Sequence, residues 1–177
     1  MIPHNLGQVP AFYITKCLTS YNNTQGFTDW SVYHQSCPTY TGNSRQGKQA
    51  LWLHSILGAA NGVGGFFNNA TSTEFSPNQI NYDNSLGQSY IAYLWAEVPG
   101  FSKFGGYTGN NDNNGPFVYL GFRPRFILLK KIGEASTTYG WQIYDTARSP
   151  ANVANLPGFW ADTNAAEAPN TLSLIHI

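Results

Sequence analysis

Nine carboxylates, four histidines and two cysteines are the side chains with which this 177-residue chain could do chemistry. Glycoside hydrolysis needs two carboxylates roughly 5–10 Å apart across a groove. Here Asp29, Glu74, Asp83, Glu97, Asp112, Glu134, Asp145, Asp162 and Glu167 are spread along the chain, with no D-x-E or E-x-D pair. Glu97 is the best placed. It closes an alternating run and shares a face with Ile91, Tyr93 and Trp95, so an open face would make it a candidate acid. Asp145 and Arg148, three apart at a strand end, read as a ligand-binding pair or as an ion pair or turn cap fixing the strand exit. His4, His34, His54 and His176 share no metal-ligand spacing. No serine lies in a nucleophile elbow. The glycines of Gly62–Gly65 lack the Lys-Ser that a phosphate loop requires. Asn110–Asn114 offers oxygens to calcium but brings one carboxylate, and a turn explains it more simply. The expectation is no enzyme, no catalytic residue, no cofactor and no metal site, with ligand-binding residues unassigned.

Two other groups of side chains bear on binding. Tyr13, Tyr33, Tyr93 and Tyr107 could stack on sugars if exposed, since amphipathic rings serve as platforms. On a sandwich such rings more often fill a subunit interface or cover the second face. Cys17 and Cys37 fall at opposite ends of an expected hairpin of Ala11–Cys17 with Asp29–His34. That is farther than the roughly 7 Å between Cα atoms that a disulfide tolerates, so two inert free thiols are expected.

The elements that must position these groups are strands. Charged residues make up only 10% of the chain, aromatics reach 15%, and Lys+Arg equals Asp+Glu at nine each. Aromatic and β-branched residues suit pleated surfaces, and the abundant Gly and Asn suit turns. The neutral balance, with no basic cluster, argues against nucleic acid or an anionic membrane as partner. No apolar run approaches the roughly 18 residues of a membrane span, so no membrane insertion is expected.

The chain reads as one β unit written twice. Offset by 114, Leu6, Gly7, Pro10, Phe12, Ile14 and Lys16 meet Leu120, Gly121, Pro124, Phe126, Leu128 and Lys130. Trp30–His34 (WSVYH) is answered by Trp141–Asp145 (WQIYD), Trp52 by Trp160, and Ala59-Ala60 by Ala165-Ala166. Order is kept, so duplication is the economical reading. His34 then stands where Asp145 does, which favours the turn-cap reading of Asp145 and Arg148.

Period-two alternation predicts strands over Ala11–Lys16, Asp29–His34, Ser89–Val98 and Gly140–Asp145. Arg125–Lys130 becomes a strand by its match to the first copy, as does Ala50–His54 by its match to Pro157–Asp162. Asn61–Asn84, rich in Gly, Asn, Ser and Thr, reads as a long loop or as an excursion with one short strand around Phe66. Lys103–Tyr107 and Pro116–Leu120 flank TGNNDNNG, which reads as a hairpin turn or short loop. Tyr90–Lys131 is thus the joint between the copies. The fold expected is all-β: an antiparallel β-sandwich of two tandem, pseudo-duplicated units, 1–99 and 100–171.

The second unit has no counterpart to the YIAYLWAEV strand. Residues 172–177 (LSLIHI) also match the translation of a common DNA-library transposon adapter. The expectation is a truncated metagenomic gene with an adapter-derived end.

Several phrases together resemble a known family: HNLGQVPAFYITK (His4–Lys16), WSVYH (Trp30–His34), YIAYLWAEVPGFSKFGGYTGN (Tyr90–Asn110), GPFVYLGFRPRFILLK (Gly115–Lys130) and WQIYDTAR (Trp141–Arg148), with AAE (Ala165–Glu167) near the end. The likeness is to an uncharacterised repeat domain of tailed-phage tail and tail-fibre proteins, frequent in marine phages. That resemblance implies a virion location after assembly in the host cytoplasm. It implies a homotrimer of sister fibre chains and an adhesin-like role in attachment to a host cell-surface glycan or protein. It also implies a further strand before HNLG, so that the first unit would lack its leading strand, and it transfers no catalytic residue. The alternative is a carbohydrate-binding module of a secreted or virion-associated glycan-degrading protein.

Overall fold

The structure, a computed structural model, describes residues 1–19, 30–41, 46–55, 58–59, 66–77, 84–112, 114–133, 140–147, 157–164, 166, 168–169 and 174–176. The strands are β1 Ile2–Pro3, β2 Phe12–Cys17, β3 Trp30–His34, β4 Thr39–Tyr40, β5 Gly47–Lys48, β6 Leu51–Trp52 and β7 Glu74–Phe75. They continue as β8 Tyr90–Trp95, β9 Asn114–Phe117, β10 Phe126–Leu129, β11 Gln142–Asp145, β12 Pro157–Trp160, β13 Ala168–Pro169 and β14 Leu174–His176. The described residues contain no helix, and the fold is all-β, sandwich-like and built of several mostly antiparallel sheets.

Two four-stranded sheets dominate, ordered β6-β3-β2-β8 and β10-β11-β12-β13. In the first, Phe12 lies opposite His34 and Trp95, and Ile14 opposite Val32 and Tyr93. In the second, Phe126 lies opposite Asp145 and Leu128 opposite Ile143. Next in each sheet, Ser31 faces Trp52 and Gln142 faces Trp160. The ammonium of Lys16 sits 5.6 Å from the Trp30 ring centroid, and that of Lys130 sits 5.8 Å from the Trp141 ring. Both are within cation–π range.

The first sheet is covered on both faces, as its sequence demands: β2 places Phe12 and Ile14 on one side and Tyr13 and Thr15 on the other. One core joins Phe12, Val32, Cys37, Leu51 and Ala59 to Trp141, with Leu128 and Ile132 packed against it, so this face meets residues of the second half of the chain. Three polar ties reinforce the contact. Trp141 Nε1 donates to the Trp52 carbonyl at 2.8 Å, Lys130 Nζ to the Ser55 carbonyl at 2.8 Å, and the Ala59 amide to the Ile132 carbonyl at 3.3 Å.

The other face carries Tyr13 and Tyr33, stacked with centroids 4.4 Å apart. Phe67 meets Tyr13 and Tyr33 edge-on at 5.2 and 5.7 Å, and Phe75 meets Tyr13 at 5.2 Å. Such pairs contribute about 0.5–1.5 kcal/mol each beyond their burial. Within Asn61–Asn84 the described residues 66–77 are thus an excursion that closes this face, with the short strand at Glu74–Phe75 and isolated bridges at Phe67. Phe66, Phe67 and Phe75 are buried and form half of a core. Phe75 lies in β7, which pairs with β1, and Phe67 bridges Lys48 and Pro77. A Gly/Asn-rich stretch hides these phenylalanines because they have no strand-length periodicity.

Two expectations are corrected. The strand at Ala50–His54 shortens to β6, because the Ser55 amide closes a turn onto the Trp52 carbonyl at 3.1 Å. Of the two alternatives for TGNNDNNG, the hairpin does not form and the described residues make a loop. Residues 103–110 hold no strand, and β9 instead pairs in parallel with β14. Among the described residues, no helix is long and apolar enough to cross a membrane.

Candidate ligand-binding surface

β8 ends in Trp95, and the chain then reverses through Val98-Pro99-Gly100-Phe101. Proline presets φ at the second turn position, and Gly100 takes φ +75° at the third, the geometry of a type II turn. The Phe101 amide closes it onto the Val98 carbonyl at 2.9 Å. Ser102 locks the reversal. Its hydroxyl donates to the Ala96 carbonyl at 2.9 Å and accepts from the Val98 amide at 3.0 Å.

The turn brings Lys103 back to Glu97, Nζ to Oε2 at 2.9 Å. Glu97 Oε1 accepts from the Phe104 amide at 3.2 Å and from Gln35 Nε2 at 3.3 Å. Gln35 Nε2 also donates to the Phe104 carbonyl at 2.8 Å. The Lys103 hydrogen bond chiefly, with help from Phe104 and Gln35 and against slight burial, holds the Glu97 carboxyl below its ordinary value. A carboxylate held ionised is poorly suited to donate a proton as a general acid. The sequence raised Glu97 as a candidate acid, and the structure makes it a clip between the β3 exit and the β8 turn. Both partners are well solvated, so the ion pair itself is worth little.

Glu97 also borders a shallow cavity of about 280 Å³, shared with Pro99, Lys103, Leu120 and Phe122. Among the described residues it is the only carboxylate lining that cavity. Beside it, along β8, Tyr93 and Trp95 stack with centroids 6.3 Å apart, and are 45% and 41% exposed. Trp95 leans on Phe12 at 5.4 Å, and Phe12 stacks on Phe104 at 5.8 Å. The pair of rings is therefore a supported shelf, with polar groups at one end. It can hold a flat apolar face, from a sugar ring or from another protein surface.

The remaining sequence candidates disperse. Tyr13 and Tyr33 are buried in the core and unavailable to a ligand, while Tyr107 is exposed. Asp145 Oδ1 accepts from the Ala147 amide at 3.0 Å, a cap at the strand exit; Arg148 lies outside the described residues, as do Gly62–Gly65. Asn110 Nδ2 donates to the Asn114 carbonyl at 2.8 Å, and Asp112 Oδ1 accepts from the Asn114 amide at 2.8 Å. Asn111 adopts φ +54°. The oxygens of this run serve the turn itself. His4 bridges the Leu6 amide and the Thr71 carbonyl, at 3.3 and 3.2 Å. His34 accepts from the Ser36 amide at 3.0 Å. No group of three or more metal-ligating side chains occurs among the described residues.

Sequence reasoning missed Gln35 and the Leu120–Phe122 wall of the cavity. Neither carries a local signal, since each reaches Glu97 only through the fold. The pattern of one domain family matches residues 1–176, nearly the whole chain. The chain belongs to the DUF7483 family, a domain of unknown function. Comparison with curated proteins and with solved structures gave no match. In this DUF7483 chain, the Tyr93–Trp95 shelf and the cavity beside Glu97 are the surface features suited to binding.

Proposed function

We propose that this chain is a non-enzymatic structural and host-attachment domain of a phage tail fibre, located in the virion and assembled with sister chains as a homotrimer. The observation that carries the reading is the stacked, half-exposed Tyr93–Trp95 pair on an edge strand, beside a cavity with one ion-paired acid. Exposed apolar shelves of this kind fit burial against another chain or contact with a receptor. Phe101, Phe117, Tyr119 and Phe126 are exposed as well.

The duplicated architecture belongs to the same proposal. Its support is the shared register of β2-β3-β6 and β10-β11-β12, the two Lys-over-Trp contacts, and the positive φ of both Gly7 (70°) and Gly121 (81°). Every strand of the first sheet precedes residue 99, and every strand of the second follows residue 100. Two like units would present loops to a host glycan or protein, while apolar faces pack against sister chains.

The test is antibody labelling of phage particles encoding the chain, with adsorption measured in the presence of the purified protein. Labelling on the fibres and slowed adsorption are expected. Unlabelled virions would sink the proposal.

A second reading, a carbohydrate-binding module of a secreted or virion-associated glycan-degrading protein, draws on the same Tyr93–Trp95 shelf with Glu97 and Lys103 at its end. Glycan binding lost in Trp95→Ala, from a chain absent from virions, would favour it.

A further inference from the structure

We propose that the Glu97–Lys103 pair and the Trp95 ring hold one uncharged pyranose unit through two neighbouring hydroxyls. This site rests on the reading of the Tyr93–Trp95 shelf as a glycan contact, and names the sugar.

Unspent hydrogen-bonding capacity sets the polar half of the site. Glu97 Oε1 already accepts twice, from the Phe104 amide and from Gln35 Nε2. Oε2 accepts once among the described residues, from Lys103 Nζ at 2.9 Å. A carboxylate oxygen takes about two hydrogen bonds, so Oε2 has a position left. An ammonium has several donors and no acceptor, so Lys103 keeps donors after serving Glu97. An acceptor and a donor thus stand side by side, with 34% and 45% of their side chains exposed. Neighbouring pyranose hydroxyls are themselves about a hydrogen-bond length apart, and each both donates and accepts. One donates to Oε2 while the next accepts from Nζ.

Both groups are held in place before a ligand arrives. Gln35 spends its amide hydrogens on Glu97 and on the Phe104 carbonyl, which makes it a positioning residue. Ser102 pins the turn that returns Lys103 to Glu97. Fixing the geometry in advance lowers the cost of binding.

The apolar half follows from strand alternation. Residues two apart along a strand share a face, so Tyr93, Trp95 and Glu97 form a row. Tyr93 stacks against the Trp95 indole, and Glu97 follows Trp95 in the row on the other side. Phe104, whose amide binds Glu97, also stacks on the Phe12 that supports Trp95. Pro99, Leu120 and Phe122 wall the cavity beside the acid. An aromatic ring and apolar walls suit the C–H faces of a sugar, while the ion pair meets its hydroxyls. At about 280 Å³ the cavity falls just below the roughly 300–1,000 Å³ of drug-sized pockets. That suits a single sugar unit.

Charge selects a neutral sugar. Among the described residues, Glu97 and Lys103 are the ionisable side chains lining the cavity, and their charges cancel. A carboxylated sugar would set a second anion against Glu97 with Lys103 already paired. An apolar protein face would strip water from both ions and return no hydrogen bonds.

The experiment is NMR titration of the intact chain. The probes are the methyl glycosides of glucose, galactose and mannose, the fully O-methylated glucoside, and the methyl glycoside of N-acetylneuraminic acid. Saturable binding of at least one neutral glycoside is expected, with amide shifts centred on residues 95–104 and 120–122. The O-methylated and acidic probes should bind about tenfold more weakly or worse, as loss of a hydrogen bond to a charged group implies. Lys103→Met and Trp95→Ala should each weaken the sugar by about tenfold. Shift mapping on the unaltered chain decides the matter if a variant unfolds. No saturable binding by any neutral glycoside, shifts centred elsewhere, or equal binding of the O-methylated or acidic probe would each overturn the inference. Failure of the fibre role would look different: virions unlabelled, with glycoside binding intact. Labelled virions without glycoside binding would remove the sugar site and keep attachment through a protein.

Discussion

Trp141 Nε1 donates to the main-chain oxygen of Trp52 at 2.8 Å, joining residues 89 apart in sequence. Lys130 lies over the same indole and reaches the Ser55 carbonyl. One side chain thus ties the two main sheets by packing, a hydrogen bond and a cation–π contact. Trp141→Ala is expected to cost about 3–5 kcal/mol, as large-to-small core changes do. Trp141→Phe keeps most of the packing and loses the donor, for about 1 kcal/mol. Chemical denaturation of the three chains measures both differences. Equal losses in the two variants would show that packing carries nothing here.

His34 gives the fold a pH dependence near neutrality. Burial first, and the Lys48 ammonium second, hold its imidazole below the ordinary 6.5, and Nδ1 accepts from Ser36 in the neutral form. A histidine with a lowered folded pKa contributes stability that is present above the unfolded value. That stability is lost as pH falls from 6.5 towards the folded value. Melting temperature should be flat above pH 6.5 and decline below it, and His34→Gln should remove that decline. A second loss, below the ordinary Glu97 value of 4.5, follows from its lowered pKa and should vanish in Glu97→Gln.

Thr15 is buried on the inner face of β2, and its hydroxyl has no hydrogen-bond partner among the described residues. Its cross-strand neighbour Ser31 is in the same position. Replacing an unsatisfied buried hydroxyl by a methyl of the same shape removes a desolvation penalty. Thr15→Val should therefore raise the unfolding free energy by about 1 kcal/mol. A drop in the denaturation midpoint would contradict the account.

Both cysteines are free and buried. Burial raises the Cys37 thiol to about 11, against smaller opposing effects from the His34 backbone and Lys48. Only the thiolate is nucleophilic, so iodoacetamide at pH 8 should leave Cys37 intact in the folded chain and modify it after denaturation. Rapid labelling of the native protein, located by peptide mass, would refute this.

The strands were legible in the residues wherever period two ran for four or more positions. Phe12–Cys17, Trp30–His34, Tyr90–Trp95 and Gln142–Asp145 all form where alternation predicts them. The match of Arg125–Lys130 to the first half chose strand over helix for Phe126–Leu129. Free cysteines at opposite ends of the β2–β3 pair were legible too, because the hairpin register alone separates them. Glu97 was visible as a carboxyl at a strand end. Its role was not, because its partners Gln35, Lys103 and Phe104 meet it only after the Pro99-Gly100 turn closes.

Local pattern determined which segments are extended and which pair, since alternation and turn residues act over a few positions. The tertiary structure alone decided what covers each face. Phe66 and Phe67 lie outside the strands and Phe75 in the two-residue β7, and only the sheet they cap makes them core. Tyr13 and Tyr93, one residue type on paired strands, end up buried and half-exposed because one face has a cover and the edge of the other does not. Hydrophobic burial has no direction along the chain, so which surfaces close and which stay open is a property of the packed whole.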